Sequence, residues 1–409
     1  MLQEKRKKVY SEVAEMYFKK TEYKHSGLLR VFYRRGNLFP EINTTFKLSL
    51  IIIIFLSSCG KNLQPKSSSA HKEAGSKPVR ITGTKVESPA SNQKFKLGDN
   101  IPIRIERITD TLPAIDSMEF YLDGSRIHTA YQDPYEYMYS SKDLSMGTKP
   151  VRIVSYYADG RKEFHNTDVI ILSDIVPQYI HYRILNTWPH DVGAYTQGLV
   201  YEDGYLYEGT GQYAGSSLRK MVISSGEPER VLNLPDDVFG EGIAILNDKI
   251  YQLTYKSQVG FVYEKENFKR IQKVYYENKE GWGLTHDGVN LIMSDGSHRI
   301  YFMDPEYFTE LKQIEIYDNM NPVTRLNELE YIEGKIFANI YGEEEIVIID
   351  PLSGRVTGKL NMKGILPQEE RQRRIDVFNG IAWNPEKRVL YVTGKYWPKL
   401  FEISLQGEF

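Results

Sequence analysis

The sequence predicts an all-β protein, with a β-sandwich placed ahead of a domain of repeated sheets, and three observations predict it. First, one block recurs five times: GLVYEDGYLYEGTG at Gly198, GIAILNDKIYQLTY at Gly242, GLTHDGVNLIMSDG at Gly283, ELEYIEGKIFANIY at Glu328 and GIAWNPEKRVLYVTG at Gly380. Each block reads as an apolar strand, a turn rich in Asp, Asn and Gly, and a second apolar or aromatic strand. The starts lie 44, 41, 45 and 52 residues apart, and a period of about 40–45 residues with several strands per unit is that of a β-propeller blade. Second, the stretch before the repeats breaks into short alternating strands. Third, the chain carries 30 Tyr in 409 residues, which suits sheets, whose strands favour aromatic side chains. The expected architecture is therefore a five-bladed β-propeller preceded by an immunoglobulin-like β-sandwich.

The elements follow in order. Residues 1–59 read as an N-terminal extension and lipoprotein signal. Leu48–Leu56 is apolar, Arg30, Arg34, Arg35 and Lys47 precede it, and the run is too short for a stable membrane-spanning helix. Leu56-Ser57-Ser58-Cys59 resembles a bacterial lipobox, in which the cysteine is lipidated. Cys59, the single cysteine, is accordingly the expected anchor of a bacterial membrane protein facing the periplasm or the cell exterior. A membrane anchor or buried strand with an incidental thiol is the plainer alternative. Residues 60–78 (GKNLQPKSSSAHKEAGSKP, beginning just after Cys59) are polar and poor in apolar residues, as a flexible tether should be.

Residues 79–175 hold the sandwich. Ile101, Ile103 and Ile105 alternate with polar neighbours, as do Val151, Ile153 and Ser155, and YLDG and YYADG mark hairpin turns. No chemical constellation stands out there. Residues 178–409 hold the repeats, and five blades of about 45 residues fill them. Gln178–Thr187 (QYIHYRILNT) is expected to pair with the blade containing Phe401–Ser404, which removes an open sheet edge.

Function classes narrow at once. A net charge of −2 argues against a nucleic-acid partner. The eight histidines form no HxH, HExxH or Cys/His cluster, so no metal and no other cofactor is expected. His286, in THDGVN, reads as a turn residue.

The residues heading the blocks are Gln197, Glu241, Trp282, Asn327 and Asn379. The first strands of a propeller line the central channel and enter from one rim, so these side chains should gather around one opening. If the second strand returns to that rim, Tyr255, Tyr341 and Lys395 end close by. A carboxylate among aromatics is partly desolvated, which raises its pKa and makes Glu241 a usable acid/base. Plainer readings stand beside these. Gln197 and Asn327 also suit turn caps, Trp282 suits core packing, Tyr255 and Tyr341 suit sheet packing, and Lys395 suits a strand-end charge.

YTQGL at Tyr195, FGEG at Phe239, GWGL at Gly281, LNELEYI at Leu326 and TGKYWPKLFEI at Thr393 resemble the plant- and bacterial-type glutamine cyclotransferases over about residues 195–403. The resemblance implies a five-bladed propeller that converts N-terminal glutamine of peptides into pyroglutamate without a metal. It implies Glu241 as the acid/base, Gln197 and Asn327 as its polar partners, Trp282 and Phe239 as pocket walls, and Lys395 as the pocket lysine. Tyr195 stands where Phe is usual, and Tyr255 and Tyr341 stand where Trp is usual; all three keep an aromatic wall. The expected partners are peptides or proteins with N-terminal Gln and, through Cys59, a membrane; the chain is expected to act as a monomer. A non-catalytic propeller lipoprotein binding peptides or glycans, or a propeller hydrolase, would share the fold.

Overall fold

A computed structural model describes residues 82–372 and 374–407. The expected lipidation site Cys59 and the expected tether at 60–78 lie outside the described residues. Among those described, every regular element is a strand apart from two 3₁₀ turns, Ser141–Asp143 and Glu370–Gln372.

The first eight strands form two facing sheets. One holds Thr84–Ser88, Asn100–Arg107 and Glu136–Ser140; the other holds Gln93–Lys96, Lys162–Leu172, Gly147–Tyr157, Ile115–Leu122 and Ser125–Ala130. The alternation in the sequence decides which face is inside, because successive side chains point to opposite faces of a sheet. Ile101, Ile103 and Ile105 are 0–2% exposed and pack on Met118, Phe120, Ile153 and Ile171. In the YLDG turn, Asp123 and Gly124 both have positive φ, 49° and 79°, the backbone of a tight two-residue hairpin. Sequence reading passed over the strand Gln93–Lys96. Only Phe95 of its four residues is buried, so it shows no apolar run, and it pairs in parallel with Lys162–Leu172.

From residue 178 onward the strands form five sheets, each with four antiparallel strands in sequence order or nearly so. The first four start at Thr196–Glu202, Gly240–Leu246, Leu284–His286 and Leu326–Ile332. The fifth starts at Phe378–Asn384 and takes its outermost strand, His181–Pro189, from ahead of the repeats. His181–Pro189 pairs with Lys399–Gln406, Ile184 opposite Ile403 and Thr187 opposite Phe401, as the sequence led us to expect. Its leading residues depart from that expectation. Gln178 and Tyr179 pair in parallel with Gly358 and Lys359 at the edge of the fourth sheet. The segment therefore closes two edges rather than one.

The first strand of each sheet packs on that of the next, and the fifth packs on the first. These strands converge so tightly that the residue after the block head is glycine in four of the five copies, where a side chain has no room. A Cβ on Gly198 would lie 2.5 Å from the backbone nitrogen of Ile243, and one on Gly242 would lie 2.5 Å from that of Leu284. Apolar residues on facing sheets fill the gaps between them, among them Phe337, Tyr391 and Trp397, all 0–2% exposed. Burial of this kind, at about 25 cal/mol per Å² of apolar surface, is what holds the sheets together.

The candidate active site

Two repeated backbone features aim the site residues. The ladder between the first and second strands slips between Thr196 and Gly198, between Gly240 and Ile243, between Leu326 and Leu329, and between Phe378 and Ile381. Such bulges hold an extra residue on one strand and re-aim its side chain. Gln197, Glu241, Asn327 and Asn379 sit in them. In addition, in four of the five sheets the residue just past the second strand donates its N–H to the carbonyl two residues before a block head: Gly211 to Tyr195 at 2.8 Å, Tyr255 to Phe239 at 2.9 Å, Tyr341 to Arg325 at 2.8 Å and Lys395 to Val377 at 2.9 Å. The ends of the second strands are thereby held beside the bulges.

The result is one cavity of about 320 Å³, at the lower end of the ~300–1,000 Å³ usual for small-ligand sites. Tyr195, Gln197, Phe239, Glu241, Tyr255, Trp282, Asn327, Tyr341 and Lys395 all line it, so the nine residues expected as catalytic or substrate-binding meet there. Asn379 does not. Its Nδ2 donates to the carbonyl of Thr196 at 3.0 Å, within the wall, and Thr196 Oγ1 donates to Glu208 Oε1 at 2.7 Å. Asn379 thus pins the backbone beside Gln197 instead of facing the cavity. Sequence reading missed Gln212, which also lines the cavity, and Glu280, which accepts the indole N–H of Trp282 at 3.0 Å. The signal for Gln212 was its place at the end of a second strand, next to Gly211. The signal for Glu280 was an acid two residues before a block head.

The polar groups are deeply placed. Gln197, Glu241, Asn327 and Lys395 are 2–4% exposed. Gln197 Nε2 donates to Glu241 Oε1 at 3.1 Å, whereas Glu241 Oε2, Gln197 Oε1 and Asn327 Oδ1 have no partner. Buried polar atoms without partners are costly, and at a concave site they point to a ligand that supplies the missing bonds. Lys395 Nζ lies 4.6 Å from the ring centre of Tyr195 and 5.3 Å from that of Tyr341, held by cation–π attraction. The remaining wall is aromatic, Phe239 being 5.6 Å from Tyr255 and Trp282 5.5 Å from Tyr341.

Burial pushes the Glu241 carboxyl well above the ordinary carboxylate range; nearby Lys395 opposes the shift and Glu280 adds to it. Burial also pushes Lys395 down, against the pull of Glu241 and Asp376. Burial thus weighs against the charged form of each group, as is common at functional sites. A larger hollow of about 520 Å³ lies around Glu343–Glu345 and Lys363, but Glu344 is already paired with Arg371 at 2.6 Å, and no aromatic residue lines it. The smaller cavity is the one built for chemistry.

Sequence comparison settles whose site this is. Residues 163–405 match the sequence profile of the glutamine cyclotransferases. The chain belongs to the glutamine cyclotransferase family. The reaction that membership carries is the cyclisation of glutamine to pyroglutamate. The chain is similar to an Arabidopsis thaliana glutaminyl-peptide cyclotransferase, 37% identical over 229 residues that cover 55% of this chain and 71% of the relative. It is also similar to the crystal structure of Myxococcus xanthus glutaminyl cyclase, with 32% identity, a TM-score of 0.53, and coverage of 56% of this chain and 98% of that one. Residues 84–153 separately match a bacterial immunoglobulin-like domain, so the sandwich is of that type.

Proposed function

We propose that the repeat region is a five-bladed β-propeller, and that its cavity cyclises the N-terminal glutamine of peptides without a metal. The ring of first-strand contacts, fifth on first, supports the propeller. The observation that carries the catalytic reading is Glu241: a buried carboxylate with one oxygen bonded to Gln197 and the other free, inside an aromatic pocket of a family member.

In this reading the substrate's α-amine attacks its own γ-carboxamide carbon. A carbon–nitrogen bond closes the five-membered lactam, and the carbon–nitrogen bond to the amide nitrogen breaks, releasing ammonia. An α-amine has a pKa of about 7.7–8.0 and needs only modest help to deprotonate. Glu241 accepts the proton from the attacking nitrogen and delivers it to the leaving one. Gln197, Asn327 and Lys395 hold the carboxamide and the oxyanion that forms on it, each well-placed donor contributing about 2.7–4 kcal/mol. Tyr195, Phe239, Tyr255, Trp282 and Tyr341 keep the flexible side chain folded near attack geometry. All these groups come from one chain, so a monomer suffices.

The test is ammonia release from a Gln-initiated peptide by the full chain, with and without EDTA or 1,10-phenanthroline. The cavity offers one carboxylate, amides and an amine, not the His and Cys that zinc prefers. Activity should therefore persist after chelation. Loss on chelation with recovery on zinc addition would overturn the metal-free mechanism, and no ammonia under any condition would overturn the reaction.

We also propose that Cys59 anchors the chain in a bacterial membrane, facing the periplasm or the exterior. The support is the lipobox-like Leu56-Ser57-Ser58-Cys59 after an apolar run. Cys59→Ala should abolish acylation and release the protein from membranes, since a lipoprotein's several acyl chains together anchor firmly. Equal membrane retention of both forms would count against the anchor.

A further inference from the structure

We propose that Gln212 reads the peptide bond following the substrate's N-terminal residue, so that the site favours peptides over esters of glutamine. This rests on the cavity being the cyclisation site. Position is the first argument. Gln197, Glu241, Asn327 and Lys395 lie at the bottom of the cavity, nearly inaccessible, whereas Gln212 is only partly buried and is followed by the exposed Tyr213. The α-amine and γ-carboxamide must both reach Glu241, which leaves the chain beyond the substrate's Cα at the mouth, beside Gln212. The Gln212 side chain makes no hydrogen bond with another described residue. A primary amide offers both a donor and an acceptor, the complement of a peptide group.

The backbone is the second argument. Gln212 has φ 101°, a region L-residues rarely occupy and one that surrounding structure must enforce. Here the enforcement is explicit. Ser216 Oγ donates to the Gln212 carbonyl at 2.7 Å and accepts from the N–H of Gly240 at 2.9 Å, and Gly215 N–H reaches the same carbonyl at 3.1 Å. Buried Ser216 therefore couples the Gln212 turn to the strand that carries Glu241. The third argument is that Gln212 is not needed as wall. Gly211 leaves room for the Phe239 ring, which a Cβ there would strike, and Tyr213 closes the edge of that ring at 5.5 Å. An unusual backbone that aims an unpaired amide at the mouth is best accounted for by a ligand. The side-chain Oε1 of Gln212 accepts the first peptide N–H, and its Nε2 donates to the next carbonyl.

The experiment compares a Gln-initiated dipeptide amide with its depsipeptide, in which an ester oxygen replaces that N–H. The full-length enzyme is assayed beside Gln212→Leu and Gln212→Gly, the glycine variant keeping the turn free of strain. Wild type should prefer the amide by roughly three- to tenfold in kcat/KM, mostly through KM, as expected for one hydrogen bond. Both variants should lose that preference while the ratio of kcat values changes little. A merely structural role would slow both substrates equally and leave the preference intact, which would overturn the proposal. Equal use of amide and ester by wild type would overturn it too. Absence of ammonia from either substrate with wild type would instead remove the cyclisation reading, and this inference with it.

Discussion

Glu241→Gln should slow cyclisation of a Gln-initiated peptide by at least about 10²-fold while leaving the fold intact. General acid–base groups contribute about 10²–10⁴-fold, and Gln keeps the size and the acceptor that Gln197 uses at 3.1 Å but takes no proton. Stability should hold or improve. The folded carboxyl titrates above its unfolded value because it is buried, so the folded state binds the extra proton. The carboxyl's contribution is thus full below the unfolded pKa and is lost as pH rises through the folded one. The variant has no such loss, and at pH 8 it should melt at or above wild type. The pH profile separates the roles further. Wild-type kcat/KM should rise with pH through both the Glu241 carboxyl and the substrate amine, and the variant should retain only the amine's limb. Ammonia assays and thermal melts at pH 6 and 8 decide the matter. A folded Glu241→Gln protein working within a few-fold of wild type would mean that Glu241 is not the base.

Much of this was legible because the repeat makes the sequence report the same position five times. Gln197, Glu241, Trp282 and Asn327 stand at equivalent points, and Tyr255, Tyr341 and Lys395 share the position after the second strand, so a spacing argument groups them and the cavity does too. Side-chain direction was less legible. Asn379 heads its block like Gln197, yet it turns into the wall, because a bulge fixes direction by local backbone geometry that no periodicity encodes. Gln212 was hidden for a related reason, its aim depending on a positive φ enforced by Ser216 rather than on strand alternation. Gln178 and Tyr179 escaped because a two-residue parallel pairing carries no pattern of its own. The carboxylates of the fourth sheet escaped because their partners are far away in sequence.

Glu328 is the clearest of these, and its removal should have the second-largest effect. It takes the block position that is glycine in the other four copies. In the structure it is fully buried, and its carboxyl accepts the N–H of Leu199 at 3.1 Å and of Ile381 at 2.9 Å. Those residues belong to the first strands of the first and fifth sheets, 129 and 53 residues away. One side chain therefore fills the space the glycines leave and ties three sheets together, bonding two N–H groups of the first and fifth. Glu328→Ala strips both N–H groups of their acceptor and opens a void. At about 1–3 kcal/mol for each buried unsatisfied group, the loss should be about 3–5 kcal/mol, with faster hydrogen exchange at Leu199 and Ile381. Glu328→Gln keeps one acceptor and should cost roughly half as much. Burial, with Glu330 adding to it, raises the Glu328 carboxyl well above its usual range. The same sign therefore applies as for Glu241: wild-type stability from this group falls as pH rises past its unfolded value, and the Gln variant should show a flatter pH dependence. Activity should fall as well, because Asn327 is the next residue and its bulge leans on the same strand. Denaturant unfolding of the two variants checks the ordering. If Glu328→Ala unfolds within about 1 kcal/mol of wild type, the carboxyl is not the tie that joins these three sheets.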